Sequence, residues 1–484
     1  MNRLSVQSFS GYHHSFCITS MCLGVVFAVL VSPASWAAQL SSFGRTQLQQ
    51  YTGGSVQRTC AGLVALPPVG PKLGVPLFDT CNAMVETGNE LAGETGDAID
   101  RSLGLSENEL AASLQQIATE EFAATESMAT EINVNQAGNV ITRLVELRRN
   151  VRGFSLAGLN YPGKTQTLAA DTPDPYAGGG QRGGAASADQ PGGRLGAFIN
   201  GSYSTGDRDD TVWTNEFDFD TYGLTGGVDY RFTDNLVFGL ALSYHDVDAD
   251  FDEKPTVSGG SVDADGWGGF LYGTWYADRF YVDALAGYAK TDYDTKRDIF
   301  SPNNNDPTQN INETAKGSPD SDDYTVGIGA GYTLGSGALS YGPYARLTYY
   351  EVDIDDYQEK GAEASGLNLK VDGQDWESLT TVLGAQVSYA ISQNFGVIVP
   401  QGQVGWVHEF ENDSEEFTAV YVDDPRQNEL RAETNDPDRD YFEVGLGVSA
   451  VFKGGTQAFI YYDTVLGFDD LTDHIVTVGG RMEF

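Results

Sequence analysis

"TYGLTGGVDYRFTDNLVFGLALSYH" (221–245) holds two alternating runs separated by a three-residue turn, "TDN". In the first run Tyr222, Leu224, Gly226, Val228, Tyr230 and Phe232 share one face. Thr221, Gly223, Thr225, Gly227, Asp229 and Arg231 take the other. The second run repeats the arrangement, with Leu236, Phe238, Leu240, Leu242 and Tyr244 opposite Gly239, Ala241, Ser243 and His245. One face is apolar with aromatics at its ends, and the other is small and polar. A soluble sandwich would also alternate, so the connections have to decide the fold.

Working outward, similar segments fall near 194–204, 216–232, 235–248, 262–277, 279–294 and 322–335, then near 338–352, 375–391, 395–411, 439–453, 455–467 and 473–484. Short turns such as "TDN" (233–235), "ADR" (277–279), "GSG" (335–337), "SQN" (392–394) and "KGG" (453–455) alternate with long connections at 249–261, 295–321, 353–374 and 412–438. Turns on one side and loops on the other imply an all-β membrane barrel of 12 antiparallel strands in outer-membrane lipid, with extracellular loops. Beyond the N-terminus no run of about 18 apolar residues suggests a spanning helix.

The closing segment, "HIVTVGGRMEF" (474–484), puts Val476, Val478, Gly480, Met482 and Phe484 on one face. Val476, Val478, Met482 and Phe484 are expected to form a barrel-assembly signal. The same strand must pair with the first one, because a free edge in lipid leaves backbone groups unsatisfied.

The loops are acidic: "DVDADFDEK" (246–254), "EVDIDDYQEK" (351–360) and others are expected as solvated tips. "DVDADF" lacks the glycine and the closing glutamate of a calcium loop, so no metal site is assigned. A net charge of −40 disfavours nucleic acid as a partner.

Residues 1–37 read as a signal peptide for Sec export, cut between Ala37 and Ala38. Cys17 and Cys22 leave with it, so Cys60 and Cys81 remain as the expected disulfide of an oxidising compartment. Residues 38–130 form a short, mainly helical module. Within it Ser106 and Glu109 make a capping box, and Leu110, Leu114 and Ile117 share a face. "EINVNQAGNVITRLVELRRNVRGF" (131–154) reads as a helix long enough to fill a barrel lumen. Val140, Leu144 and Leu147 form its stripe, and Arg143, Arg148, Arg149 and Arg152 crowd its second half. Inside a barrel these arginines could meet Asp229, Asp283 or Glu409. A Pro/Gly/Ala-rich linker (155–193) leads to the barrel domain, 194–484.

Two segments carry a family likeness. "VIVPQGQVGWVHEF" (397–410) contains a strand proline followed by Trp-x-His-Glu-Phe: Pro400, Trp406, His408, Glu409 and Phe410. "FYVDALAGYAKTDYDTKR" (280–297) is similar to the fifth strand of the same family. With twelve strands behind an export signal, the chain resembles the translocator domain of autotransporters, the type V secretion family. That resemblance implies insertion by the barrel-assembly machinery, an extension crossing the lumen and a passenger outside. Members that cut the passenger in the lumen carry adjacent asparagines; the corresponding pair here is Gly138–Asn139, so the module is expected to stay attached.

No catalytic residues are assigned. His245, His408 and His474 belong to barrel strands, and residues 38–130 contain no histidine, nucleophile elbow or phosphate loop. Neither cofactor nor enzyme activity is expected. Two arrangements fit: a monomeric autotransporter displaying a non-enzymatic module for adhesion or cell contact with an unknown surface ligand, or a plain barrel or gated pore with a periplasmic module.

Overall fold

Alternation becomes barrel wall in twelve strands: β1 Leu195–Arg208, β2 Phe217–Thr233, β3 Leu236–Phe251, β4 Gly260–Ala277, β5 Phe280–Ser301 and β6 Asp320–Tyr332, then β7 Leu339–Ile354, β8 Gln374–Tyr389, β9 Gly396–Glu409, β10 Asp440–Phe452, β11 Gln457–Leu466 and β12 Leu471–Glu483. Each pairs antiparallel with the next, and β12 returns to β1 from Gly196 opposite Glu483 to Arg208 opposite Leu471, closing the barrel. This computed structural model describes residues 38–94, 99–118, 120–149, 194–252, 259–277, 279–411, 414, 416–434, 438–452 and 456–483. Ala37, Arg152, the linker 155–193 and Phe484 lie outside the described residues, as does the side chain of Arg149.

The apolar face points outward. Tyr222, Leu224, Val228, Tyr230 and Phe232 on β2 are exposed, whereas Thr221 and Thr225 are fully buried in the lumen. From Tyr222 to Phe232 the strand runs about 33 Å at roughly 3.3 Å per residue. At a tilt of roughly 40° that is about 25 Å of height, the usual apolar band of such barrels. No described helix is long and apolar enough to cross a membrane; the strands do so.

Beyond the band, on the long-loop side, the alternation inverts. On β3 Val247, Ala249 and Phe251 turn inward and are buried, while Asp246, Asp248 and Asp250 face out. Residues 246–251 are therefore strand, not the solvated tip their acidity suggests. The wall has left lipid, so its outer face meets water and its inner face can be apolar. For the same reason β1 and β5 run on to Arg208 and Ser301, past the ends expected from the apolar pattern. The long loops also carry structure. Ile311–Gly317 pairs with β5, and Tyr357–Gln358, Leu369–Val371, Glu416–Tyr421 and Glu429–Glu433 form a separate four-stranded sheet.

Among the described residues four α-helices precede the barrel: α1 Gln47–Val64, α2 Pro76–Leu91, α3 Glu107–Gln116 and α4 Glu120–Arg149. Thr46 and Gln49 form a capping box at α1, and Ser106 and Glu109 form one at α3. The helix expected over 131–154 is longer on its N-terminal side, with 30 residues from Glu120, about 45 Å. Cys60 on α1 and Cys81 on α2 are joined in a disulfide, their Cα atoms 5.6 Å apart.

Candidate functional site

Helix α4 runs inside the barrel, N-terminal end toward the long loops and C-terminal end toward the short turns. Ala124, Met128 and Ile132 pack with the inward Phe217, Phe251, Val262 and Tyr293 at the loop end. Val140, Leu144 and Leu147 pack with Phe198, Phe270, Tyr272 and Leu285 at the turn end. Between these apolar zones the contacts are polar. Asn139 Nδ2 donates to Ser202 Oγ at 2.9 Å, and Asn200 Nδ2 donates to Asn139 O at 3.0 Å. Gln136 accepts from Ser243 at 3.0 Å and also meets the buried His245, whose other ring nitrogen lies 3.2 Å from Thr291 Oγ1. A helix whose stripe is half amide suits a wall of hydroxyls better than it suits lipid or a dry core.

Arg143 and Arg148 each meet a wall carboxylate. Arg143 Nε donates to Asp229 Oδ2 at 2.8 Å, with both side chains buried, and Tyr272 OH donates to the same oxygen at 3.1 Å. Arg148 pairs with Asp283 and its guanidinium lies 4.0 Å from the Tyr281 ring centroid. Among the described side chains, Glu409 is not paired with Arg143 or Arg148, which go to Asp229 and Asp283. It accepts from Ser378 Oγ at 2.7 Å and Leu379 N at 2.9 Å, tying β9 to β8.

Glycines let α4 approach. A Cβ on Gly223 would stand 2.6 Å from Asn135 Oδ1, and one on Gly268 2.6 Å from Gln136 Oε1. The wall from β7 to β12 meets the helix through larger side chains: Tyr350 and Trp376 pack with Ala129 and Ala137, Tyr461 OH donates to Glu146, and Arg481 donates to Glu146 O at 3.2 Å. A cavity of about 280 Å³ lies on that side, and voids of about 50 and 60 Å³ continue toward the short-turn end.

The loop end is closed by a cap built from both halves of the chain. Leu48, Val56, Leu77, Met84, Leu110 and Leu114 of the helices share one buried core with Leu369, Val371, Phe417, Ala419, Tyr421 and Leu430 of the loop sheet. Ser55 Oγ donates to Glu429 O at 2.8 Å, Thr80 Oγ1 to Ser365 O at 2.8 Å, and Asn304 N to Leu103 O at 2.8 Å. Gly366, in a left-handed conformation at φ +72°, brings the loop backbone against Leu77. Arg297 at the end of β5 pairs with Glu359 through Nε to Oε1 at 3.1 Å, both almost fully buried, and donates to Leu367 O at 2.9 Å. Segments read as solvated loops thus bury apolar residues, because the module supplies the matching surface. The capping box at Thr46 was the available sequence signal for α1; nothing local marked the three-residue strand Leu369–Val371.

On the outer surface, Trp406, His408 and Phe410 of the strand motif line up. Trp406 Nε1 donates to Asp440 Oδ1 at 3.0 Å, and His408 Nδ1 lies 2.8 Å from the same oxygen. Pro400 stands where the β8–β9 ladder breaks, between Gln401 and Ile398, and a proline has no N–H to contribute there. In β12, Val478 and Met482 are exposed outward, and Val476 lies opposite Tyr203 and Tyr462. Asp246, Asp265, Asp292 and Asp320 stand in cross-strand register above the tyrosine level. Among the described residues no group of three or more His, Cys, Asp or Glu is placed to hold a metal ion.

Residues 197–463 match the autotransporter β-domain. The chain belongs to the autotransporter β-domain family. Outer membrane protein A of Rickettsia conorii is 30% identical over 257 residues, which cover 51% of this chain and 12% of that protein. This autotransporter therefore spans only a small part of the length of the relative it matches. Among solved structures, the translocator domain of autotransporter NalP from Neisseria meningitidis is 17% identical with a TM-score of 0.47, covering 62% of this chain and 92% of that one. The β-domain of the Bordetella autotransporter Brka is 19% identical with a TM-score of 0.42, covering 60% and 100%. As an autotransporter barrel the protein is integral to the Gram-negative outer membrane.

Proposed function

We propose that this outer-membrane autotransporter carries its own N-terminal module through the barrel and keeps it at the cell surface as a fixed, non-enzymatic cap. One observation carries the reading: α4 leads from the short-turn end up to a module whose core is completed by the long loops. Long loops are the extracellular side of such barrels. A periplasmic module would instead gather at the end where Leu195 begins β1. Sec delivers the chain, the barrel-assembly machinery inserts it as a monomer, and the module remains attached. The cap then offers a contact surface for adhesion to a ligand or a neighbouring cell. Its apolar part is the turn between α1 and α2, where Val69 and Leu73 are exposed.

The test is an epitope inserted after Gly70, in that turn, with antibody labelling of intact cells. Labelling of intact cells, with a periplasmic control silent, is expected. Labelling that requires outer-membrane permeabilisation would overturn the reading and leave a barrel with a periplasmic module.

A further inference from the structure

The helix in the lumen keeps step with the first strand. Along α4, Glu131, Asn135, Asn139 and Arg143 recur every four residues; along β1, Ser204, Ser202, Asn200 and Phe198 recur every two, in the opposite direction. Four helical residues rise about 6 Å, and two strand residues about 6.6 Å. The two rows therefore meet rung by rung. Glu131 hydrogen-bonds Ser204, and Ser202 Oγ donates to Asn135 Oδ1 at 2.5 Å. Asn200 Nδ2 donates to Asn139 O at 3.0 Å, and the Arg143 guanidinium lies 5.1 Å from the Phe198 ring centroid. Asn139 Nδ2 adds its bond to Ser202.

β1 is half of the one wall junction that no turn or loop makes. Every other neighbouring pair is consecutive in the chain, whereas β1 and β12 meet from opposite ends of the domain through their ladder. An edge opened there would put unpaired backbone groups in lipid. The helix reaches across this seam. Asn200 leans over β12, where a Cβ on Gly479 would stand 2.5 Å from its Oδ1. Arg481 of β12, opposite Phe198 in the ladder, donates from Nη1 to Glu146 O at 3.2 Å, about one turn beyond Arg143. Ser204, the rung of Glu131, also donates to Asp473 on β12. Gln136, next to Asn135 in sequence, turns instead to Ser243 and His245 of β3.

We propose that α4 is the internal latch of the barrel: its four-rung row holds β1 and its next turn, at Glu146, holds β12, so the seam closes fully only with the helix seated. The role is separate from surface display and holds whichever side the module occupies. The test is amide hydrogen exchange, read by mass spectrometry on the full-length protein in non-ionic detergent, with heat-modifiable gel mobility as the check on the folded barrel. Asn135→Ala/Asn139→Ala removes the side-chain bonds of both residues to Ser202. Exchange in β1 and β12 should then quicken about tenfold, with β6 and β7 unchanged. Gln136→Ala should leave the seam as in the unaltered protein, because its bonds go to β3. Should the double variant not fold, Asn135→Ala alone carries the same expectation at about threefold. The proposal is overturned by unchanged exchange in the seam or by equal quickening in β6 and β7. It is overturned equally if Gln136→Ala opens the seam as far as the asparagine variant does.

Discussion

Arg143 and Asp229 meet in the barrel lumen, guanidinium to carboxylate at 2.8 Å, although 86 residues separate them in the chain. They fix the rotation and depth of α4 against β2, and Tyr272 completes the site from β4. Truncating one partner of a buried pair strands the other's charge at a cost of about 3–5 kcal/mol. Asp229→Ala should therefore loosen the helix strongly, and Arg143→Ala/Asp229→Ala less than the sum of the single changes. Denaturant titration of the double-mutant cycle, read by protease susceptibility of α4, measures this.

Gly223 is where the wall yields to the helix. A side chain there would enter the space of Asn135 and Ser202, so Gly223→Val should displace α4 without breaking the β2 ladder. The expected result is a several-fold rise in conductance in planar bilayers, with unchanged heat-modifiable mobility. Conductance equal to that of the unaltered protein would mean the helix can repack around the valine.

Arg297 and Glu359 do for the cap what Arg143 and Asp229 do for the lumen. Glu359→Ala removes the carboxylate partner of a buried guanidinium that still donates to Leu367 O, again at a cost of about 3–5 kcal/mol. The module should then be cleaved by external protease at lower denaturant, while the barrel itself stays resistant.

Replacing both Cys60 and Cys81 by alanine removes a cross-link between residues 21 apart. For a loop of that size about 3 kcal/mol of stability is expected to go. Pulse proteolysis of the cap with and without the disulfide reads the difference, which should be confined to the helical module.

Glu109 closes the capping box of α3 and accepts from Ser106 N at 2.7 Å. That backbone hydrogen bond, with help from the Ser106 hydroxyl and Asn304, holds its carboxyl below the ordinary value of 4.5. A depressed value in the folded state means the contribution is present above the unfolded value of about 4.5 and is lost as pH falls through the folded one. Amide exchange at Ser106 and Glu109 should accelerate as pH drops below that range, after correction for intrinsic rates. Glu109→Gln should flatten the response.

Much of the barrel was legible because its signal is local. A period of two residues, short turns and long loops can be counted along the chain, and the strands at Tyr222–Phe232 and Leu236–Tyr244 state which face meets lipid. The two cysteines, the Ser106 capping box and the arginines of α4 were equally readable, since each depends on residue type and nearby spacing. The inversion at Asp246–Phe251 was present in the sequence but spoke against its own neighbourhood. Acidic residues suggested a tip, and only the wall's exit from lipid explains why the alternate positions are apolar.

The cap and the lumen were decided by tertiary structure. Leu369–Val371 is too short to announce itself as a strand, and its burial depends on Leu77 and Leu110, which lie hundreds of residues earlier. Asp229 and Asp283 became the partners of Arg143 and Arg148, while Glu409, equally acidic, went to Ser378 and Leu379. Residue type decided that carboxylates would be sought. Which ones were reached depended on the course of α4, which brings Arg143 to β2 and Arg148 to β5.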